Sequence, residues 1–355
     1  MFPYWAVFAL FAFAVMIERA PAADERRGVL PLVFAGLFLT LLIGLRYKVG
    51  GDWTTYQDAL WLAGYRTLTE TLAIRDPGYE ALNWAAASLG LGIWAVNLVC
   101  AAIFTWGLLR LADTQPRPWM VVFLAVPYLI TVVSMGYTRQ AVAIGIVMAS
   151  FAAVISGGSI VRAIVYIVIG TLFHRTTIVV LPLLSLATGQ RRLWNVAAIL
   201  PALYGLYAIF VAPTLGNLVH GYLEEEYSSS GAGIRVAQVV VPATVFLLFR
   251  KRLGFGDRER VLWLSLSIAA FACLVLLFVL PSSTVVDRLA LYALPLQIVV
   301  LARVPSALVS EGFGRALLIF YAAAVLFVWL TYGSHSDLWI PYRNYLAEVY
   351  AGGTL

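Results

Sequence analysis

Stretches of 17 to 21 almost purely apolar residues recur along the whole chain, and no other feature limits the fold so strongly. A run of that length matches the hydrocarbon thickness of a bilayer when wound as an α-helix, the form that pairs every backbone amide inside its own segment. The runs fall near 1–17, 28–45, 92–112, 119–134, 138–156, 161–173, 176–189, 193–213, 234–250, 261–280, 288–303 and 316–332. They predict about twelve crossings. With 62% apolar and 12% charged residues, the composition excludes a soluble globular protein. The expected fold is all-α, a polytopic helical bundle formed by residues 1–355 as a single transmembrane domain.

Several segments carry their own expectations. Glu18-Arg19 directly follow the first apolar run, and no basic region precedes it, so residues 1–17 read as a retained helix. The pieces in 161–189 are short, and His174-Arg175 interrupt them. Residues 77–90 read as an interfacial or re-entrant piece leading into 92–112. Cys100 and Cys273 lie inside apolar runs with no metal spacing, as packing residues do.

Charge then orients the bundle. With loop 18–27 placed in the cytoplasm and the sides alternating from there, fifteen of the 24 basic residues fall on the inner side. This bias obeys the positive-inside rule and puts both termini outside, with outer loops near 46–77, 214–233 and 333–355. It also accounts for the net charge of +6, which therefore gives no argument for nucleic-acid binding.

The nine basic residues on the outer side are the informative ones: Arg46, Lys48, Arg66, Arg75, Arg139, Arg175, Arg235, Arg288 and Arg343. Arg46, Arg139, Arg175 and Arg288 lie at or just inside the outer ends of apolar segments, where a cation costs desolvation and needs a partner. Any one of them can snorkel or pair with a carboxylate. Several at one depth point to a shared anionic ligand, and the guanidinium fork matches phosphate oxygens. At the outer face of a membrane that ligand is a lipid phosphate or pyrophosphate.

Asp52 follows the Gly50-Gly51 pair in RYKVGGDWTTY. It reads both as the N-cap of the helix begun by WTTYQDALWL and as a carboxylate offered to a substrate. His174, flanked by apolar runs, is either a hydrogen-bonded structural residue or a catalyst. Aromatics crowd the same zone, Tyr47, Trp53, Tyr56, Tyr292 and Tyr345 among them. Most fit an interfacial belt, and a minority are suited to stack on sugar rings. Glu224-Glu225-Glu226 with the following YSSSGAG reads as a solvated outer loop.

The strings RYKVGGDWTTY, YTRQAVAIGI, FHRTTIVVLP, DRLALYALPLQ and WIPYRNYL resemble the EpsG-like group of Wzy-type exopolysaccharide (O-antigen-like) polymerases. Gly51, Asp52 and Tyr56, then Arg139 and Gln140, Phe173 and His174, and finally Arg288 and Tyr292 match the group's pattern in order. The resemblance implies polymerisation of lipid-linked oligosaccharide repeats at the outer face of the bacterial inner membrane. A growing glycan on polyprenyl pyrophosphate would move onto the free end of a new repeat. It also implies a likeness to the GT-C class, independence of metal and of nucleotide sugar, and a chain-length regulator as a candidate partner.

This chemistry suits the residues. Arg139, Arg175 and Arg288, with Arg46 and Arg343 as further members, would stabilise charge growing on the leaving pyrophosphate. Asp52, or else His174, would take the proton of the acceptor hydroxyl, while Tyr56, Gln140 and Tyr292 position substrate. No DxD pair, His/Cys cluster or P-loop string is present on the outer side, so neither a cofactor nor an ATP-driven step is expected. A lipid-linked oligosaccharide flippase would want charge at both faces or along a central path. A membrane O-acyltransferase would want a histidine facing the cytosol. An O-antigen ligase differs from a polymerase only in its acceptor, and the motif set with the modest length favours the polymerase.

Overall fold

The apolar runs become helices whose ends are set by proline, glycine and charge. The computed structural model describes residues 1–18, 29–187, 200–201, 204–205, 231–280, 283–308 and 310–350. The helices are α1 (Phe2–Ile17), α2 (Val29–Gly44), α3 (Trp53–Ala63), α4 (Leu68–Leu72), α5 (Pro77–Ser88), α6 (Ile93–Asp113) and α7 (Pro118–Ala125). The last continues as a π-helical stretch, Val126–Ser134. Then come α8 (Thr138–Ile155), α9 (Ile160–Phe173), a 3-10 turn Arg175–Val179, α10 (Val180–Ala187), α11 (Ala232–Phe249), α12 (Asp257–Val279) and α13 (Ser283–Ala290). The set closes with α14 (Leu294–Ala307), α15 (Glu311–Tyr332) and α16 (Tyr345–Tyr350).

Among the described residues, six helical stretches are long and apolar enough to cross a bilayer: α6, α8, α11, α12, Ser283–Ala307 and α15. Shorter apolar helices match the expected segments at 1–17, 28–45, 119–134, 161–173 and 176–189. The architecture is that of a multi-pass membrane protein. The segment expected at 193–213, and the loop carrying Glu224-Glu225-Glu226, lie largely outside the described residues. The span expected at 288–303 begins earlier, because α13 carries polar Asp287 and Arg288 within an otherwise continuous helical stretch.

The chain divides into two compact units. The first comprises Met1–Ile146, Leu172–His174 and Gly312–Leu355; the second comprises Val147–Thr171 and Arg175–Glu311.

In the first unit α2 packs along α6, and α1 packs on α7. Small residues permit the tightest approach: a Cβ on Gly107 would overlap the Gly145 carbonyl, so α6 and α8 touch backbone to backbone. Glu18 accepts from the amides of Trp119 (3.0 Å) and Met120 (3.3 Å), placing a carboxylate on the N-terminus of α7. At the opposite end of the unit the 333–345 segment folds back over it. Trp339 is buried and donates from Nε1 to the Thr131 carbonyl at 2.8 Å, inside the π-helical stretch. Tyr4 donates to the Trp339 carbonyl at 2.7 Å.

In the second unit α11 packs on α12 and α14. Arg303 holds both oxygens of Glu259 at 2.9 Å and the Gly254 carbonyl at 2.8 Å, over the Phe255 ring. This buried pair ties the first turn of α12 to α14.

Candidate functional site

The polar core of the first unit is built on the start of α5. Pro77 occupies the first helical turn, where its missing amide costs nothing. Asp76 precedes it in the left-handed region, φ 61° and ψ 58°, a conformation that aspartate tolerates better than most side chains. Gly78 lets α5 press against the backbone of Leu172, at the end of α9. Together these features bury the Asp76 carboxylate beside the chain that carries His174.

Two guanidinium groups and one imidazole converge on that carboxylate. Arg139, in the first turn of α8, donates from Nη1 to Asp76 Oδ2 at 3.1 Å. His174 Nδ1 and Arg75 Nε each lie 4.0 Å from the same oxygen. The Asp76 side chain is 1% exposed while that of Arg139 is 31% exposed, so the guanidinium reaches the surface where the carboxylate does not. Arg139 also lies over the rings of Tyr56 and Tyr79, 5.8 and 5.9 Å from their centroids. Burial raises the phenol of Tyr56 to about 12 and that of Tyr79 well above its ordinary value, so both stay protonated donors. One turn into α5, burial also raises the carboxyl of Glu80, opposed by Arg139 and by the nearby Asn83 amide.

Asp52 stands at the N-cap of α3, yet its side chain makes no capping bond. It is half-buried, and Tyr56 donates to its Oδ2 at 3.4 Å. Tyr56 thus links Asp52 to the cluster around Arg139. The turn before it depends on glycine: Gly50 has φ 105°, and a Cβ there would strike the Met135 carbonyl.

Arg46 sits differently from the other outer arginines. It is 1% exposed and donates to the Ile43 carbonyl (2.7 Å), Asn97 Oδ1 (3.1 Å) and Thr138 Oγ1 (2.6 Å). Thr138 is the neighbour of Arg139, so Arg46 braces the start of α8 from inside. Gln140 is buried on the same turn. Arg343 is exposed, and its carbonyl accepts from the Tyr47 amide.

The remaining expected residues lie in the second unit. Arg175 and Arg288 are both half-buried. Tyr292 Oη lies 3.0 Å from Thr176 Oγ1 and 3.0 Å from Thr177 Oγ1, next to Arg175 in the chain. Asp287 accepts from Arg235 Nη1. Among the described residues no group of three or more His, Cys, Asp and Glu is placed to hold a metal ion.

Of the ten expected residues, the first unit therefore brings together Asp52, Tyr56, Arg139 and His174, with Arg46 and Gln140 supporting. The sequence reading missed Asp76, Tyr79 and Glu80. The signal present was RDPGYE in the outer loop, an acidic residue before a helix-starting Pro-Gly and beside one of the misplaced arginines.

A sequence model of the EpsG family matches residues 29–344. The chain belongs to the EpsG family. No curated protein and no solved structure matches it significantly. EpsG membership points to a role in exopolysaccharide biosynthesis, and the matched region of this EpsG chain contains Asp52, Asp76, Arg139, His174, Arg288 and Arg343.

Proposed function

We propose that this EpsG-family protein is a metal-independent membrane glycosyltransferase that polymerises exopolysaccharide. It would transfer a growing glycan from polyprenyl pyrophosphate onto a lipid-linked oligosaccharide repeat at the outer face of the inner membrane. The observation that carries the reading is Arg139, a surface-reaching guanidinium anchored by buried Asp76, which His174 also approaches, and lying over the ring of Tyr56, which donates to Asp52.

The acceptor hydroxyl oxygen attacks the anomeric carbon of the donor sugar. The bond from that carbon to the pyrophosphate oxygen breaks, and the pyrophosphate leaves with the electron pair. Arg139 stabilises the charge that develops there, which is worth more in a partly dry site. Asp52 takes the acceptor's proton; its half-exposure favours it over buried His174, whose place beside Asp76 suits orientation of the cluster. Arg343 is assigned to a further phosphate contact, Gln140 to positioning, and Arg46 to bracing Arg139.

The test is reconstitution in vesicles with purified lipid-linked repeat, product length being read on a gel. The wild type is expected to build polymer, and Asp52→Asn and Arg139→Ala to insert and fold but leave the repeat unextended. A wild type that moves the lipid across the bilayer without joining repeats would establish the flippase instead.

A further inference from the structure

At the outer end of the first unit, four aromatic rings from four separate segments form an unbroken chain of contacts. Trp53 and Tyr47 meet edge to face at 5.8 Å, Tyr47 and Tyr345 at 6.4 Å, and Tyr345 and Trp94 lie tilted at 5.8 Å and 31°. The row starts at Asp52, whose chain neighbour is Trp53, and runs outward to the first turn of α6.

The backbone fixes the row. Arg46 and Asn344 form an isolated antiparallel bridge, with the Tyr47 amide donating to the Arg343 carbonyl (3.0 Å) and the Tyr345 amide to the Leu45 carbonyl (2.7 Å). Those bonds hold Tyr47 and Tyr345 side by side. Tyr47, Trp94 and Tyr345 are each half-buried, so part of every ring stays open, whereas Trp53 at the inner end is 6% exposed. Belt residues that merely anchor a protein at the headgroup level need neither mutual contact nor a main-chain clamp.

We propose that Tyr47, Tyr345 and Trp94 form a carbohydrate subsite that seats the sugar rings lying beyond the reacting residue. Aromatic faces take the C–H faces of pyranose rings, and the row leads away from the carboxylate assigned to the transfer. The occupant is the glycan of the lipid-linked repeat, because it is the part of the substrate that must extend from the reacting sugar into water. The inference rests on the polymerase reading for that assignment. Its consequence is grip on the glycan between transfers, and so the length of the product.

The experiment uses the full chain in nanodiscs and a lipid-free repeat oligosaccharide released from the host's own exopolysaccharide. This probe carries no pyrophosphate, so its binding does not depend on transfer. Trp94→Ala and Tyr345→Ala should each bind it about tenfold more weakly, the size of one lost ring contact, and should yield shorter polymer. Tyr345→Phe should restore both. Saturation transfer from aromatic protons of the wild-type protein to sugar-ring protons gives a reading that needs no variant to fold. Unchanged binding and product length in both alanine variants, or no saturation transfer to the sugar, would overturn the subsite and leave only an interfacial belt. Glycan binding without polymer formation by the wild type would sink the polymerase reading while the subsite stood.

Discussion

Arg139 reaches Asp76 across 3.1 Å, joining the first turn of α8 to the residue that launches α5. The two positions are 63 residues apart in sequence, and the pair fixes a cation at the surface by burying its counter-charge. Removing the carboxylate should therefore cost more than one contact. Asp76→Leu is expected to destabilise the protein by about 3 kcal/mol, as for other half-broken buried pairs, and Asp76→Asn by less, since asparagine keeps the left-handed backbone. Thermal melts of the two variants in the same detergent check the order; equal losses would count against it.

The guanidinium itself should be irreplaceable by a point charge. A lysine at 139 cannot lie over both tyrosine rings while reaching the carboxylate. Arg139→Lys is expected to lower the transfer rate by about a hundredfold or more, the usual effect of losing a transition-state donor, with little change in melting temperature. A near wild-type rate would remove Arg139 from the reaction.

Glu80 makes stability depend on pH in a stated direction. Burial raises its carboxyl above the ordinary value of 4.5. The folded state binds this proton more tightly than the unfolded chain does. The resulting stability is full below that ordinary value and is lost as pH rises through the higher folded one. Glu80→Gln should thus match wild type in melting temperature near pH 4 and gain over it as pH rises above the ordinary carboxyl value. A constant difference across that range would show that folding leaves the Glu80 carboxyl unshifted.

The close approach of α6 and α8 gives a packing prediction. Gly107→Ala pushes a methyl group into the Gly145 carbonyl, and overpacking of this kind costs about 1–3 kcal/mol. Because α8 carries Arg139 at its outer end, the variant should also raise the lipid concentration needed for half-maximal rate.

The second unit supplies a control. Arg303→Met strands Glu259 in a buried position, and the expected loss is again about 3 kcal/mol. Activity per folded molecule should stay at the wild-type level, measured after removal of aggregated protein.

Much of this was legible from the residues. Long apolar runs produced α6, α8, α11, α12 and α15 because length and hydropathy are local properties. Arg139 and His174 stood out because charge at the end of an apolar helix breaks a rule that sequence displays. Asp76 did not stand out, since an aspartate before Pro-Gly in a polar loop looks like any turn residue. Its burial comes from Gly78 seating on Leu172, a contact across 94 positions that no local pattern records. Arg46 was legible as an oddity but not in its role, because the acceptors that hold it belong to α6 and α8.

The indole of Trp339 bonds into the first half of the chain, and Tyr4 donates to the Trp339 backbone carbonyl across 335 positions. During synthesis the π-helical carbonyl of Thr131 must therefore wait for a donor made some two hundred residues later. Until the ribosome has delivered that late tryptophan, the stretches at Gly50 and Gly136 that the 338–339 segment packs on have no final shape, and a nascent chain stalled in α15 would hold nearly all its apolar helices without it.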